Sequence, residues 1–157
     1  TLRIGATEYG ITLYGPRLQK LIEHQAPNIR LMMPALRAAE TLKAVSNNKV
    51  DIALGSFYSG IGDFAFETLN EDTYVVLARK NHKMFKGQLT RAAYVKEQHL
   101  AVSSDPNLLG TLDTVLASLG VTLNVMMRTS LYIPAFSIAA SRDCFVTAAG
   151  SLAKACA

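Results

Sequence analysis

One feature constrains this chain more than any other. A strand, helix, strand, helix, strand pattern with short joins runs through it twice. Leu2-Arg3-Ile4-Gly5 reads as a strand that enters a turn at Thr7 to Gly10. Ile11, Tyr14, Leu18, Leu21 and Ile22 then recur at helical spacing. Pro16 is expected in the first turn of that helix, where its missing N–H does least harm. The helix should end before Pro27. Ile29 to Met33 is the next strand. Leu36, Ala39, Leu42, Ala44 and Val45 make a second helix, stopped by Ser46-Asn47-Asn48, and Val50 to Leu54 is a strand closing on Gly55. Strands joined this way must be parallel, with right-handed crossovers.

A loop at Ser59 to Asp63 follows, and Phe66 to Lys80 reads as extended, with Tyr74 to Leu77 its apolar heart. This segment is the expected connector between two lobes, residues 1–74 and 75–157. The pattern then restarts. His99 to Val102 is a strand opening into Ser103-Ser104-Asp105-Pro106, and a helix carries Leu109, Leu112, Val115, Leu116 and Leu119 to a C-cap at Gly120. Leu123 to Arg128 is a strand, Ile133 to Ala140 a helix and Cys144 to Thr147 a strand, and Ser151 caps a last stub of helix. Ile29 to Met33 matches Leu123 to Met127, and Asp51 to Ser56 loosely matches Asp143 to Ser151. The expected fold class is α/β: two Rossmann-like lobes with an interlobe cleft.

Composition narrows the function. Of 157 residues, 50% are hydrophobic and 18% charged, which excludes a disordered chain. No apolar run reaches the roughly 18 residues of a membrane span, so no membrane partner is expected. The N-terminus carries no basic-then-apolar leader, although a mature exported chain could begin this way. The net charge is +4, but the basic residues are scattered, with Arg79 to Lys86 the densest stretch. A nucleic-acid surface normally shows a clustered patch. Cys144 and Cys156 fit no zinc spacing and no metal site is expected. Two buried free thiols are favoured over one disulfide. Met32-Met33 and Met126-Met127 read as strand core.

Catalytic signatures are missing. There is no GxSxG, HExxH or P-loop, and Gly55, Gly60 and Gly62 form a loose loop without a following Gly-Lys-Ser/Thr. His24, His82 and His99 have no obvious acid or thiol neighbour in sequence. Ligands of open parallel sheets bind at the carboxyl ends of the strands, where helix N-termini favour small anions. The residues placed there are Thr7, Glu8, Tyr9, Pro34, Ala35, Ser56 and Phe57 in the first half. In the second half they are Ser103, Ser104, Thr129, Ser130, Tyr132 and Thr147. Hydroxyls can donate to a carboxylate, and rings can stack on an apolar body. Each has a plainer use: Glu8 complements a helix dipole, Tyr9 and Tyr132 pack, and Ser103 and Ser130 cap the helices that follow.

These residues resemble a known family. Leu2-Arg3-Ile4-Gly5-Ala6-Thr7, Gly15-Pro16-Arg17-Leu18, Ala26-Pro27-Asn28-Ile29, Lys49 to Gly55, Val75 to His82 and Pro106 to Gly120 together resemble the effector-binding domain of LysR-type transcriptional regulators. Their order and spacing over essentially the whole chain carry the resemblance. The Glu8-Tyr9 pair is similar to the branch of nodulation and aromatic-degradation regulators. Lys83 stands where the family has proline after the histidine. The resemblance implies a periplasmic-binding-protein type 2 like fold, C-terminally incomplete here, because the family's domain runs further and returns to the first lobe. It implies no catalysis, no cofactor and a cytoplasmic parent protein. The resemblance also implies a small effector, an organic or aromatic acid, bound between the lobes. The partners implied are a homodimer or tetramer, built on helices near Thr12 to Gln25 and Leu108 to Leu119. Operator DNA would be bound through a helix-turn-helix absent from this chain. A periplasmic solute-binding protein of a transporter and a small α/β enzyme using Glu8 are the alternatives.

Overall fold

In the computed structural model, residues 1–57, 61–85, 87–103 and 110–156 are described. The chain divides into two units, Thr1–Asp72 and Thr73–Ala157. In the first, β1 (Leu2–Ala6), α1 (Glu8–Gln25), β2 (Leu31–Met32), α2 (Ala38–Ser46) and β3 (Ile52–Leu54) follow one another. The strands pair in parallel in the order β2-β1-β3. β1 is the centre, and Ile4 and Ala6 on it are 3% and 0% exposed. Helices on such a sheet need small residues where they approach it. A Cβ on Gly10 of α1 would stand 3.2 Å from the Leu54 carbonyl oxygen, so glycine lets the helix close on β3.

Register is held by a clamp at the start of the sheet. The Arg3 guanidinium donates to Asp51 through Nη2 at 2.6 Å and Nε at 3.2 Å, and the Arg3 amide donates to the same carboxylate at 2.8 Å. Arg3 holds the Asp51 carboxyl below the usual carboxylate range through these hydrogen bonds. The third donor of Arg3 reaches the Asn48 carbonyl at 2.8 Å. Asn48 follows the α2 C-cap with φ 54°, the left-handed geometry that asparagine tolerates at a helix end.

Two details of this unit differ from the expectation. The helix begins at Glu8, three residues before the first periodic residue, because Thr7 caps it by accepting from the Gly10 amide. Pro16 therefore falls inside α1 and not in its first turn. Pro16 is exposed, so its cost is confined to the helix backbone, where the missing N–H leaves the Thr12 carbonyl without its helical donor.

The second unit contains β4 (Tyr74–Leu77), a single 3-10 turn (Lys83–Phe85), α3 (Arg91–Lys96), β5 (Gln98–Val102), α4 (Thr111–Ser118), β6 (Asn124–Thr129), α5 (Tyr132–Ser141), β7 (Val146–Ala149) and α6 (Gly150–Ala155). β5 pairs with β6 in parallel. Reciprocal bonds, Leu100 N to Phe145 O and Phe145 N to Gln98 O, tie β5 to the start of β7 on its other side. The β1-α1-β2-α2-β3 order of the first unit thus recurs as β5-α4-β6-α5-β7, with the first strand again central. β4 is an antiparallel neighbour of β7, with Tyr74 opposite Ala149 and Leu77 opposite Val146. A core of Leu100, Ala135, Ala139, Cys144 and Val146 sits under α5.

Several sequence expectations are corrected here. α3 is missed by periodicity because six residues give too little signal. The N-cap position is held by Gly110 in α4, Leu131 in α5 and Ala149 in α6, not by Ser103, Ser130 and Ser151. Ser151 lies within α6. Met32, Met126 and Met127 are 52%, 43% and 42% exposed, because β2 and β6 have a neighbour on one side only. Cys144 is buried but Cys156 is exposed, and neither forms a disulfide. Gly60 and Leu109 lie outside the described residues.

Pro16 generates a prediction. Pro16→Ala restores an amide that can bond the Thr12 carbonyl, and should raise stability in urea unfolding by about 1–3 kcal/mol.

Candidate functional site

In the first unit the carboxyl ends of β1 and β3 lie side by side, with Ala6 opposite Leu54. Thr7, Glu8 and Tyr9 leave β1 and enter α1; Ser56 and Phe57 follow β3. The Thr7 amide donates to the Leu54 carbonyl at 3.2 Å, which holds the two exits together. The Thr7 hydroxyl accepts from the Gly10 amide at 3.3 Å. Accepting leaves its own proton able to donate. Glu8 stands in the first turn of α1, where a carboxylate complements the helix dipole. Ser56 is exposed and Phe57 half-buried.

Tyr9 is differently committed. Its hydroxyl donates to Asp72 Oδ2 at 2.9 Å and accepts from Asn70 Nδ2 at 3.2 Å. Asn70 Oδ1 in turn accepts from the Tyr14 hydroxyl, one helical turn along. Burial raises the Tyr9 phenol above its ordinary pKa, so it remains a proton donor. Asn70 and Asp72 were missed by sequence reading. They lie in an extended stretch with no periodicity, and their partners are more than fifty positions away.

In the second unit the matching edge is formed by the ends of β5 and β6. Ser103 is 4% exposed, and its amide donates to the Thr129 carbonyl at 2.9 Å. Thr129 is half-buried and Ser130 exposed. Tyr132 opens α5 with its ring 6.0 Å from that of Phe136, packed against the core. Ser104 lies outside the described residues. Thr147 does not follow its strand but lies within β7, 9% exposed, its hydroxyl 2.8 Å from the Tyr94 hydroxyl.

Two further groups reach this edge. Arg128, beside Thr129, donates to Asp113 Oδ2 at 2.7 Å, and the same oxygen accepts from the Gly110 amide at 2.9 Å. One carboxylate thereby joins the start of α4 to the end of β6. Below the edge, a small pocket is lined by His99, Val102, Leu112, Asp113, Leu123 and Thr147 among others. His99 is 1% exposed, with Nε2 2.6 Å from the Tyr94 carbonyl, and lies edge-on to Tyr94 and Phe145. His82 is also buried, its ring tilted against Phe145 with centroids 4.9 Å apart, and its Nδ1 accepts from the Met84 amide. These rings form an aromatic and imidazole layer behind the edge. Among the described residues no group of three or more His, Cys, Asp or Glu side chains is placed to hold a metal ion.

The parallel-stranded edges agree with a wider relationship. Residues 1–155 match the model of the LysR substrate binding domain. The chain belongs to that family. It is 25% identical over 156 residues to the HTH-type transcriptional activator NahR of Pseudomonas putida, covering 99% of this chain and 52% of NahR. A probable transcriptional regulator from Pseudomonas aeruginosa has the same fold at 28% identity and TM-score 0.83, over 98% of this chain and 52% of that one. Structures of this fold with bound ligands include two effector binding domains. They are the effector binding domain of QuiR with shikimate (16% identity, TM-score 0.77, 98% and 76% covered) and that of BenM with benzoate (15%, 0.72, 98% and 71%). The chain spans about half the length of the curated relatives it matches. These relatives favour the regulator reading over the solute-binding protein of a transporter. Among the described residues no helix is long and apolar enough to cross a membrane.

His99 supplies a pH prediction. Burial lowers its pKa, so the unfolded chain binds the proton more tightly than the folded one. Stability from this group is complete above the ordinary imidazole value and is lost as pH falls from there through the depressed folded value. Between about pH 7.5 and 5.5, urea midpoints should fall more for the natural protein than for His99→Asn.

Proposed function

We propose that this chain is the effector-sensing and dimerisation domain of a LysR-type transcriptional regulator, and that its effector is a small organic or aromatic acid. The match of residues 1–155 to the family carries the reading. Two features support an acid. The N-terminus of the eighteen-residue α1, with the Thr7 hydroxyl beside it, favours an anion. Domains of this fold also hold benzoate in BenM and shikimate in QuiR. The residues assigned to the effector are Thr7, Glu8, Tyr9, Ser56 and Phe57 in one unit. In the other they are Ser103, Ser104, Thr129, Ser130, Tyr132 and Thr147.

The domain binds and does not catalyse. Its parent protein works in the cytoplasm and reads operator DNA through a part outside this chain. Effector binding must favour one arrangement of the protein over another to transmit a signal. Dimerisation through α1 and α4 is supported by apolar side chains those helices leave in solvent: Leu21 is 51% exposed, Val115 44% and Leu119 62%.

Titration calorimetry with benzoate and shikimate tests the effector assignment. Saturable binding is expected. Thr7→Ala and Ser130→Ala should each weaken it by about 1.5 kcal/mol if each hydroxyl donates to a carboxylate. Unchanged affinity in both variants would remove these two residues from the site. Leu21→Glu combined with Val115→Glu should shift the protein from dimer to monomer in sedimentation; a persistent dimer places the interface elsewhere.

A further inference from the structure

The Tyr9 hydroxyl has one proton to give, and in this structure Asp72 takes it. Tyr9 also belongs to the first turn of α1, where the proposed acid effector would arrive. Asp72 is the last residue of the first unit, immediately before Thr73 begins the second. One phenol thus stands between the ligand edge and the start of the crossover.

We propose that an effector carboxylate replaces the Asp72 carboxylate as acceptor of the Tyr9 O–H, and so frees residues 70–72 from α1. The inference rests on the effector being an acid, as proposed above. The exchange is of like for like, since one carboxylate leaves the phenol as another takes its place. Three observations favour it. Asp72 is exposed, so its charge returns to water at little cost. The arriving anion gains the N-terminus of α1 and the Thr7 hydroxyl. Residues 61–72 carry Asp63, Glu67, Glu71 and Asp72 and no lysine or arginine, so a second anion at Tyr9 repels this segment. The Tyr14 contact to Asn70 remains and limits the release to the end of the segment.

The test compares variants whose affinities should move in opposite directions. Benzoate is titrated into the full chain at fixed ionic strength, with shikimate as the second probe. Tyr9→Phe removes the shared donor and should weaken binding about tenfold. Asp72→Ala and Asp72→Asn remove the charged competitor and should tighten it severalfold. Cleavage after Glu71 by a glutamate-specific protease should quicken when benzoate binds the natural protein. In Tyr9→Phe it should be fast from the start and insensitive to benzoate. A merely structural tie predicts that all three variants loosen the segment and that none binds more tightly. Saturable binding that Asp72→Ala and Asp72→Asn leave unchanged or weaken overturns the exchange and leaves the effector reading standing. No saturable binding of either probe overturns both.

Discussion

Two parallel strands cannot be joined by a tight turn, so the chain must cross over the sheet and return to its starting end. That constraint organises both units. It places the exits of β1 and β3 together in one, and those of β5 and β6 together in the other. It also aims the N-terminus of α1 from the same edge. In the first unit the register behind this arrangement is held by the Arg3–Asp51 clamp across the far end of β1 and β3. A slip by one residue would turn the side chains of β1 to the wrong face and bury Arg3 in place of Ile4.

The second unit reaches the same topology by a different route. Its central strand is braced by rings: Phe145, Tyr94, His99 and His82 form a continuous layer. Each buried imidazole has one nitrogen hydrogen-bonded, Nε2 of His99 with the Tyr94 carbonyl and Nδ1 of His82 with the Met84 amide, and His82 Nε2 faces the Glu97 carboxylate at 3.8 Å. The layer also explains Thr147. A hydroxyl read as ligand-facing is instead partnered by Tyr94 inside the unit.

Much of the fold was legible residue by residue. The helix ending before Pro27, the α2 stop at Asn47-Asn48 and the α4 stop at Gly120 were all read from local chemistry. Asn48 and Gly120 do take the left-handed backbone, with φ 54° and 64°. Helix starts were less legible. Thr7 looked like part of a turn because periodicity begins only at Ile11, and the serines expected as caps are not at the N-cap positions, which Gly110, Leu131 and Ala149 hold. The antiparallel place of β4 was hidden because its partner β7 lies some seventy positions later.

By itself the sequence determined the succession of strands and helices and the positions at the strand ends, because both follow from interactions within a few residues. It also carried the family, since the motifs keep their order along the whole chain. Only the tertiary structure decided which side chains at those ends are engaged. Thr7 keeps a proton to donate, Thr147 is tied to Tyr94, Arg128 is held by Asp113, and Tyr9 is claimed by Asp72. A hydrogen bond between residues sixty-three positions apart leaves no periodicity or local motif to read. It exists only once the backbone has brought its two ends together.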